Sequence, residues 1–103
     1  GEAPMAVAGL PAKTELLGAV PNPSGPRTMI RFALADRQHV SLNVFDIQGR
    51  RVAAVLDEVR EPGAYQEMWS GRDAAGHPLA SGIYYAVLRA GEYEKTSPIV
   101  VLR

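Results

Sequence analysis

An all-β fold, an antiparallel sandwich of about seven short strands, is what this sequence predicts. In its clearest runs apolar and polar residues alternate with a period of two. Ile30, Phe32 and Leu34 alternate with Arg31 and Ala33, and Val40, Leu42 and Val44 alternate with Ser41 and Asn43. That period places successive side chains on opposite faces of an extended chain, which marks a half-buried antiparallel strand. Gly, Pro, Asn and Asp punctuate the runs, and each favours a chain reversal for its own reason.

Residues 1–14 (GEAPMAVAGLPAKT) open the chain without a helical period and with three larger apolar residues, Met5, Val7 and Leu10. They read as an extended leader or linker, and residues 15–103 as the sandwich domain. Strands are expected near 15–20, 28–34, 39–46, 51–57, 64–69, 83–90 and 94–102. Arg51–Leu56 has enough apolar density for a helical turn, but its length and β-branched flanks favour a strand. Pro21-Asn22-Pro23 fixes a rigid turn or extended lead-in, because proline restricts its own φ and the residue before it. Gln48-Gly49 sits between two apolar runs, where glycine supplies the positive φ of a tight hairpin; Pro62-Gly63 and Ala90-Gly91 mark two further reversals. In the run from Ile83, both faces are apolar: Tyr84, Ala86 and Leu88 on one, Ile83, Tyr85 and Val87 on the other. A strand of that kind is covered on both sides or lies at an interface.

Composition narrows the function. A chain of 103 residues is one domain. Its 11 basic and 11 acidic side chains balance to zero and are interspersed, so the basic stripe of a nucleic-acid binder is missing. No apolar run is long enough to cross a bilayer. With no cysteine there are no disulfides, thiolate metal sites or thiol catalysis.

Catalytic and metal chemistry find little support. His39 and His77 have no partner at metal-ligand spacing. Ser70, Ser81 and Ser97 lack the strand–elbow–helix setting of a hydrolase nucleophile. Gly63, Gly71, Gly76 and Gly82 lie in different turns and make no phosphate-cradling loop. Asp73 with Asp46 or Asp57 would supply carboxylate oxygens, but the alternating acidic spacing of a calcium loop is missing. Asp46 instead reads as a turn residue that accepts backbone N–H groups, and Trp69 as a plug in the core. No catalytic residue, cofactor or metal ligand is assigned, and no small-molecule partner is expected.

Several motifs in order resemble one kind of domain. They are Asn22-Pro23, the hairpin Val44-Phe45-Asp46-Ile47-Gln48-Gly49-Arg50-Arg51-Val52, the loop Trp69-Ser70-Gly71-Arg72-Asp73-Ala74-Ala75-Gly76, and the entry Gly82-Ile83-Tyr84. Together they resemble the immunoglobulin-like C-terminal sorting domains of type IX secretion substrates and the related domain of the flagellar hook-capping protein. The resemblance covers residues 16–103 and implies an immunoglobulin-like sandwich that is not an enzyme. It implies that Pro-Asn-Pro marks the domain's start and that the closing strand, through Ile99, Val100, Val101 and Leu102, is part of what export machinery reads. Two positions depart from the pattern: Ser70 replaces the usual Asp, and Pro98 interrupts the closing strand, where proline belongs at an edge or a bulge.

The implied role is a sorting or anchoring module at the surface of a bacterium or secreted from it, with the secretion machinery as protein partner. The alternative is an extracellular filament subunit joined to neighbouring copies by strand donation from residues 1–14, with Met5, Val7 and Leu10 as donor side chains. A third reading, a carbohydrate-binding module, requires several of Phe45, Tyr65, Tyr84, Tyr85 and Tyr93 to share one exposed face.

Overall fold

The computed structural model of the chain describes residues 10–103. Seven strands form the domain: β1 (Glu15–Val20), β2 (Thr28–Leu34), β3 (Gln38–Phe45), β4 (Arg51–Arg60), β5 (Gly63–Trp69), β6 (Gly82–Ala90) and β7 (Tyr93–Val101). They make two antiparallel sheets, one ordered β1-β2-β5 and the other β4-β3-β6-β7. Relative to the constant-type immunoglobulin arrangement, the fourth strand lies beside β3 instead of beside β5.

Each predicted alternation puts its apolar set into the layer between the sheets. Ile30, Phe32 and Leu34 from β2, Val40, Leu42 and Val44 from β3, Tyr84, Ala86 and Leu88 from β6, and Ile99 and Val101 from β7 are all buried. Trp69 is buried at the end of β5. Its ring meets Tyr84 edge-on at 6.0 Å, and its indole Nε1 donates to the Arg72 carbonyl at 3.1 Å. The plug expected at Trp69 is therefore present, with its polar atom satisfied.

Strand β4 extends to Arg60, three residues beyond the expected end at 57. Its added residues Glu58, Val59 and Arg60 pair in regular register with Val40, His39 and Gln38, while two irregularities, between Leu42/Asn43 and between Val44/Phe45, lie nearer its start. Each bulge adds a residue and resets which face the following side chains occupy, so a strict period of two fails along this strand. Past them, Val59 lies opposite His39 on the outer face, while Arg60 reaches Glu58 and Glu67 and covers the ring of Tyr65. Glu67 belongs to β5, so this ion pair ties the long hairpin to the other sheet.

The opening turn differs from its expected role. Strand β1 precedes Pro21-Asn22-Pro23 and pairs along β2, so that element does not mark the start of the sandwich. It bends the chain across from one sheet to the outer edge of the other. Asn22 Nδ2 donates to the Pro98 carbonyl at 3.0 Å and its Oδ1 accepts from Val100 N at 2.9 Å, while Ser24 N donates to the Val100 carbonyl at 2.8 Å. One side chain thus does for the free edge of β7 what a neighbouring strand would do.

The same contacts account for Pro98. In an antiparallel strand the N–H and C=O of one residue point to the same side. The Pro98 carbonyl faces the outer edge, so its missing N–H is missing there too, and the ladder to β6 continues from Gly82↔Val101 to Ala90↔Tyr93 without a bulge.

Candidate functional site

Two loops at one end of the sandwich are built to a single pattern that the sequence states twice, Asp46-Ile47-Gln48-Gly49-Arg50 and Asp73-Ala74-Ala75-Gly76-His77. In the first, Asp46 N donates to the Arg50 carbonyl and Gly49 N to the Asp46 carbonyl; in the second, Asp73 N donates to His77 O and Gly76 N to Asp73 O. The glycine is at φ 84° in one loop and 89° in the other, the left-handed region that closes a three-residue hairpin turn. Asp46 Oδ1 accepts from Gln48 N and Arg50 N, and Asp73 Oδ1 accepts from Ala75 N and His77 N. The second carboxylate oxygen faces the basic residue that closes each loop, Arg50 Nε at 3.0 Å and His77 Nδ1 at 3.4 Å. Sequence reading identified Asp46 as a turn setter but missed the repetition. The signal was the shared Asp-x-x-Gly followed by a base.

The hydrogen bonds fix the charge of both groups. Main-chain N–H of Arg50, followed by the Arg50 side chain and Gln48 N–H, holds the Asp46 carboxyl below its ordinary 3.8. Main-chain N–H of His77, then of Ala75, does the same for Asp73. A depressed folded-state pKa contributes stability that is fully present above about pH 5 and is lost as the pH falls through 3.8 towards the lower folded value. Urea midpoints measured from pH 7 to pH 3 are therefore expected to fall on acidification. Asp46→Asn with Asp73→Asn should be less stable at pH 7 and lose less stability on descent. Equal slopes for both proteins would contradict this account.

An open cleft of about 620 Å³ lies between the two loops, lined by Asp46, Arg50, Asp73, Ala74, Leu79 and Tyr84 among others. Its carboxylates are already engaged by N–H groups and by bases. Asp57, the third carboxylate considered for calcium, lies instead against His39 Nε2 at 2.6 Å. Among the described residues, no group of three His, Asp or Glu side chains is placed to hold a metal ion.

The long connection from Trp69 to Gly82 is organised from both ends. Tyr84 Oη donates to the Ala80 carbonyl at 2.8 Å, the bracing of a tyrosine corner, and Tyr65 Oη makes the same contact four residues back, to Glu61 O at 2.6 Å. Leu79 N donates to the Gly71 carbonyl. The Arg103 guanidinium then reaches the Leu79 and Gly71 carbonyls, and Arg103 N donates to Ser81 Oγ. Gly71 carries φ 71°, the left-handed region that favours glycine, and a Cβ there would stand 2.9 Å from that guanidinium and displace it.

The closing-strand residues expected to dock do not form one surface. Ile99 and Val101 are in the core, Val100 is half-buried on the outer face, and Leu102 is 57% exposed. Leu10 is exposed, and Met5 and Val7 lie outside the described residues.

The fold has known relatives. Residues 25–93 match the FlgD Ig-like domain family, a span that excludes β1 and most of β7. No curated protein matches the chain. Among solved structures, dimeric latent PorU of Porphyromonas gingivalis is similar over 86% of this chain and 9% of its own, with TM-score 0.67 and 17% identity. PorZ of the same organism, an essential bacterial surface component of its type IX secretion system, is similar over 87% of this chain and 11% of its own, with TM-score 0.56 and 23% identity. At those identities the likeness is one of fold, and the chain spans only about a tenth of either protein. With more than half of its length matched, this chain belongs to the FlgD Ig-like domain family.

Proposed function

We propose that this chain is a non-catalytic extracellular module carried by a secreted bacterial protein, and that a type IX export apparatus reads it as a sorting and anchoring signal. The reading rests above all on β7. The strand completes the core through Ile99 and Val101, turns Thr96, Pro98 and Val100 outward, and runs on to an exposed Leu102. In the folded domain a reader of that strand meets Thr96, Pro98, Val100 and Leu102 and not Ile99 or Val101. The fold likeness to a surface component of a type IX system supports the same assignment.

Strand donation between copies has less to recommend it. The outer edge of β7 is occupied by Asn22 and Ser24, and β4, the opposite edge of that sheet, is bulged twice and met at the Val52 carbonyl by Ala74 N. Bulged, charged or covered edges resist the addition of a foreign strand.

The test appends the full chain to a soluble carrier in a bacterium that has a type IX system. The carrier is expected at the cell surface, and in the periplasm when the translocon is deleted. Val100→Lys with Leu102→Lys should reduce surface delivery while leaving the unfolding midpoint unchanged. A carrier that stays in the periplasm of the competent strain would overturn the proposal.

A further inference from the structure

The outer face of the four-stranded sheet carries features that the export reading does not use. Cross-strand registers place Phe45 beside Tyr85 and Asn43 beside Val87, with Ser41 beside Arg89 one step further on. These side chains alternate with the buried Val40, Leu42, Ala86 and Leu88 and therefore face away from the core. Of the five aromatics from which a carbohydrate face could draw, Phe45 and Tyr85 share this surface. Tyr65 is stacked on Phe32, Tyr84 is buried, and Tyr93 accepts from Leu16 N through its hydroxyl oxygen. Along β3 lies a shallow cleft of about 380 Å³ lined by Ser41, Asn43, Phe45, Val87, Arg89 and Glu94.

The lining selects among ligand classes. Strands β3 and β6 are both central in their sheet, so their main-chain groups are spent on neighbours on either side. An extended peptide would find no edge to pair with. Arg89 lies 3.3 Å from Glu94, so its charge is met and an anion gains little. What remains is an aromatic ring, a hydroxyl, a carboxamide and an ion pair that can both donate to and accept from hydroxyl groups. A pyranose presents that complement, a C–H face for the ring and a rim of hydroxyls that act as donors and acceptors. From Ser41 to Phe45 the strand rises about 13 Å, enough to lie under two linked sugar rings.

We infer that this face is a binding site for a neutral oligosaccharide, with Phe45 as the stacking platform and Asn43, Ser41 and the Arg89–Glu94 pair as the hydroxyl partners. The site is independent of the sorting role and would let the module hold a glycan wherever it is delivered. An open, shallow site of this kind binds weakly, with Kd on the order of 1–10 mM.

The experiment titrates the ¹⁵N-labelled full chain with cellotetraose, maltotetraose and chitotetraose, each to about 20 mM. At least one of them should give saturable shifts in the amides of Ser41, Asn43, Phe45, Val87 and Arg89, and in the Asn43 side chain. Phe45→Ala and Asn43→Ala, each checked by an otherwise superimposable spectrum, should weaken binding about tenfold or more, and Phe45→Tyr should retain it. No saturable shift with any of the three sugars, or shifts confined to another face, would overturn the inference. So would shifts at these same residues that depend on protein concentration without sugar, which would assign the face to a second copy of the chain.

Discussion

Replacing Trp69 by alanine is expected to destabilise the domain by about 3–5 kcal/mol, which a urea titration followed by circular dichroism measures directly. The indole is 5% exposed and lies where the two sheets close over the end of the core. Its removal leaves a cavity beside Tyr84 and deprives the Arg72 carbonyl of its donor. A domain of this size has a net stability of about 5–15 kcal/mol, so the loss is about a fifth of the total or more. The melting temperature should fall by on the order of 15 °C or more. Because Trp69 and Tyr84 hold opposite ends of the connection from Ser70 to Ser81, amide exchange in that loop should also speed up beyond the global change. A loss below about 1 kcal/mol would mean that the ring is not part of the packed core.

The second large effect separates the two roles of the closing strand. Ile99→Ala should cost about 2–5 kcal/mol, because Ile99 is fully buried opposite Tyr84. Leu102→Ala, three residues later and largely exposed, should change stability by less than about 0.5 kcal/mol. An export defect in the first variant would report on folding, and one in the second on recognition. Measured stabilities that rank the other way would contradict the register of β7.

Much of the fold was legible because its determinants are local. The alternation through Ile30–Leu34 and Val40–Val44 names the inner faces of β2 and β3 directly, and the glycine after Gln48 names the hairpin between β3 and β4. What escaped was non-local or broke the period. The far end of β4 is set by its partner, since Glu58, Val59 and Arg60 are strand residues through pairing with Val40, His39 and Gln38. Asn22 read as part of a turn and a domain start, because its edge-capping role depends on the carbonyl of Pro98 and the amide of Val100, more than seventy positions away. The two apolar faces of β6 were visible, but only the register with β3 showed that Tyr85 and Val87 meet Phe45 and Asn43 on the outside. Function was the least legible part. A glycan face is a surface shared among strands, and no single stretch of sequence contains it.

Both edges of the four-stranded sheet are met by the chain itself, at β7 by Asn22 and Ser24 and at β4 by Ala74, which predicts a module that does not assemble into a polymer. Light scattering of the intact chain in dilute neutral buffer, with electron microscopy of the same sample, tests it most directly. A sharp monomer near 11.1 kDa is the predicted result. Long ordered fibres that vanish when residues 1–14 are removed would contradict it and make the chain a strand-donating subunit.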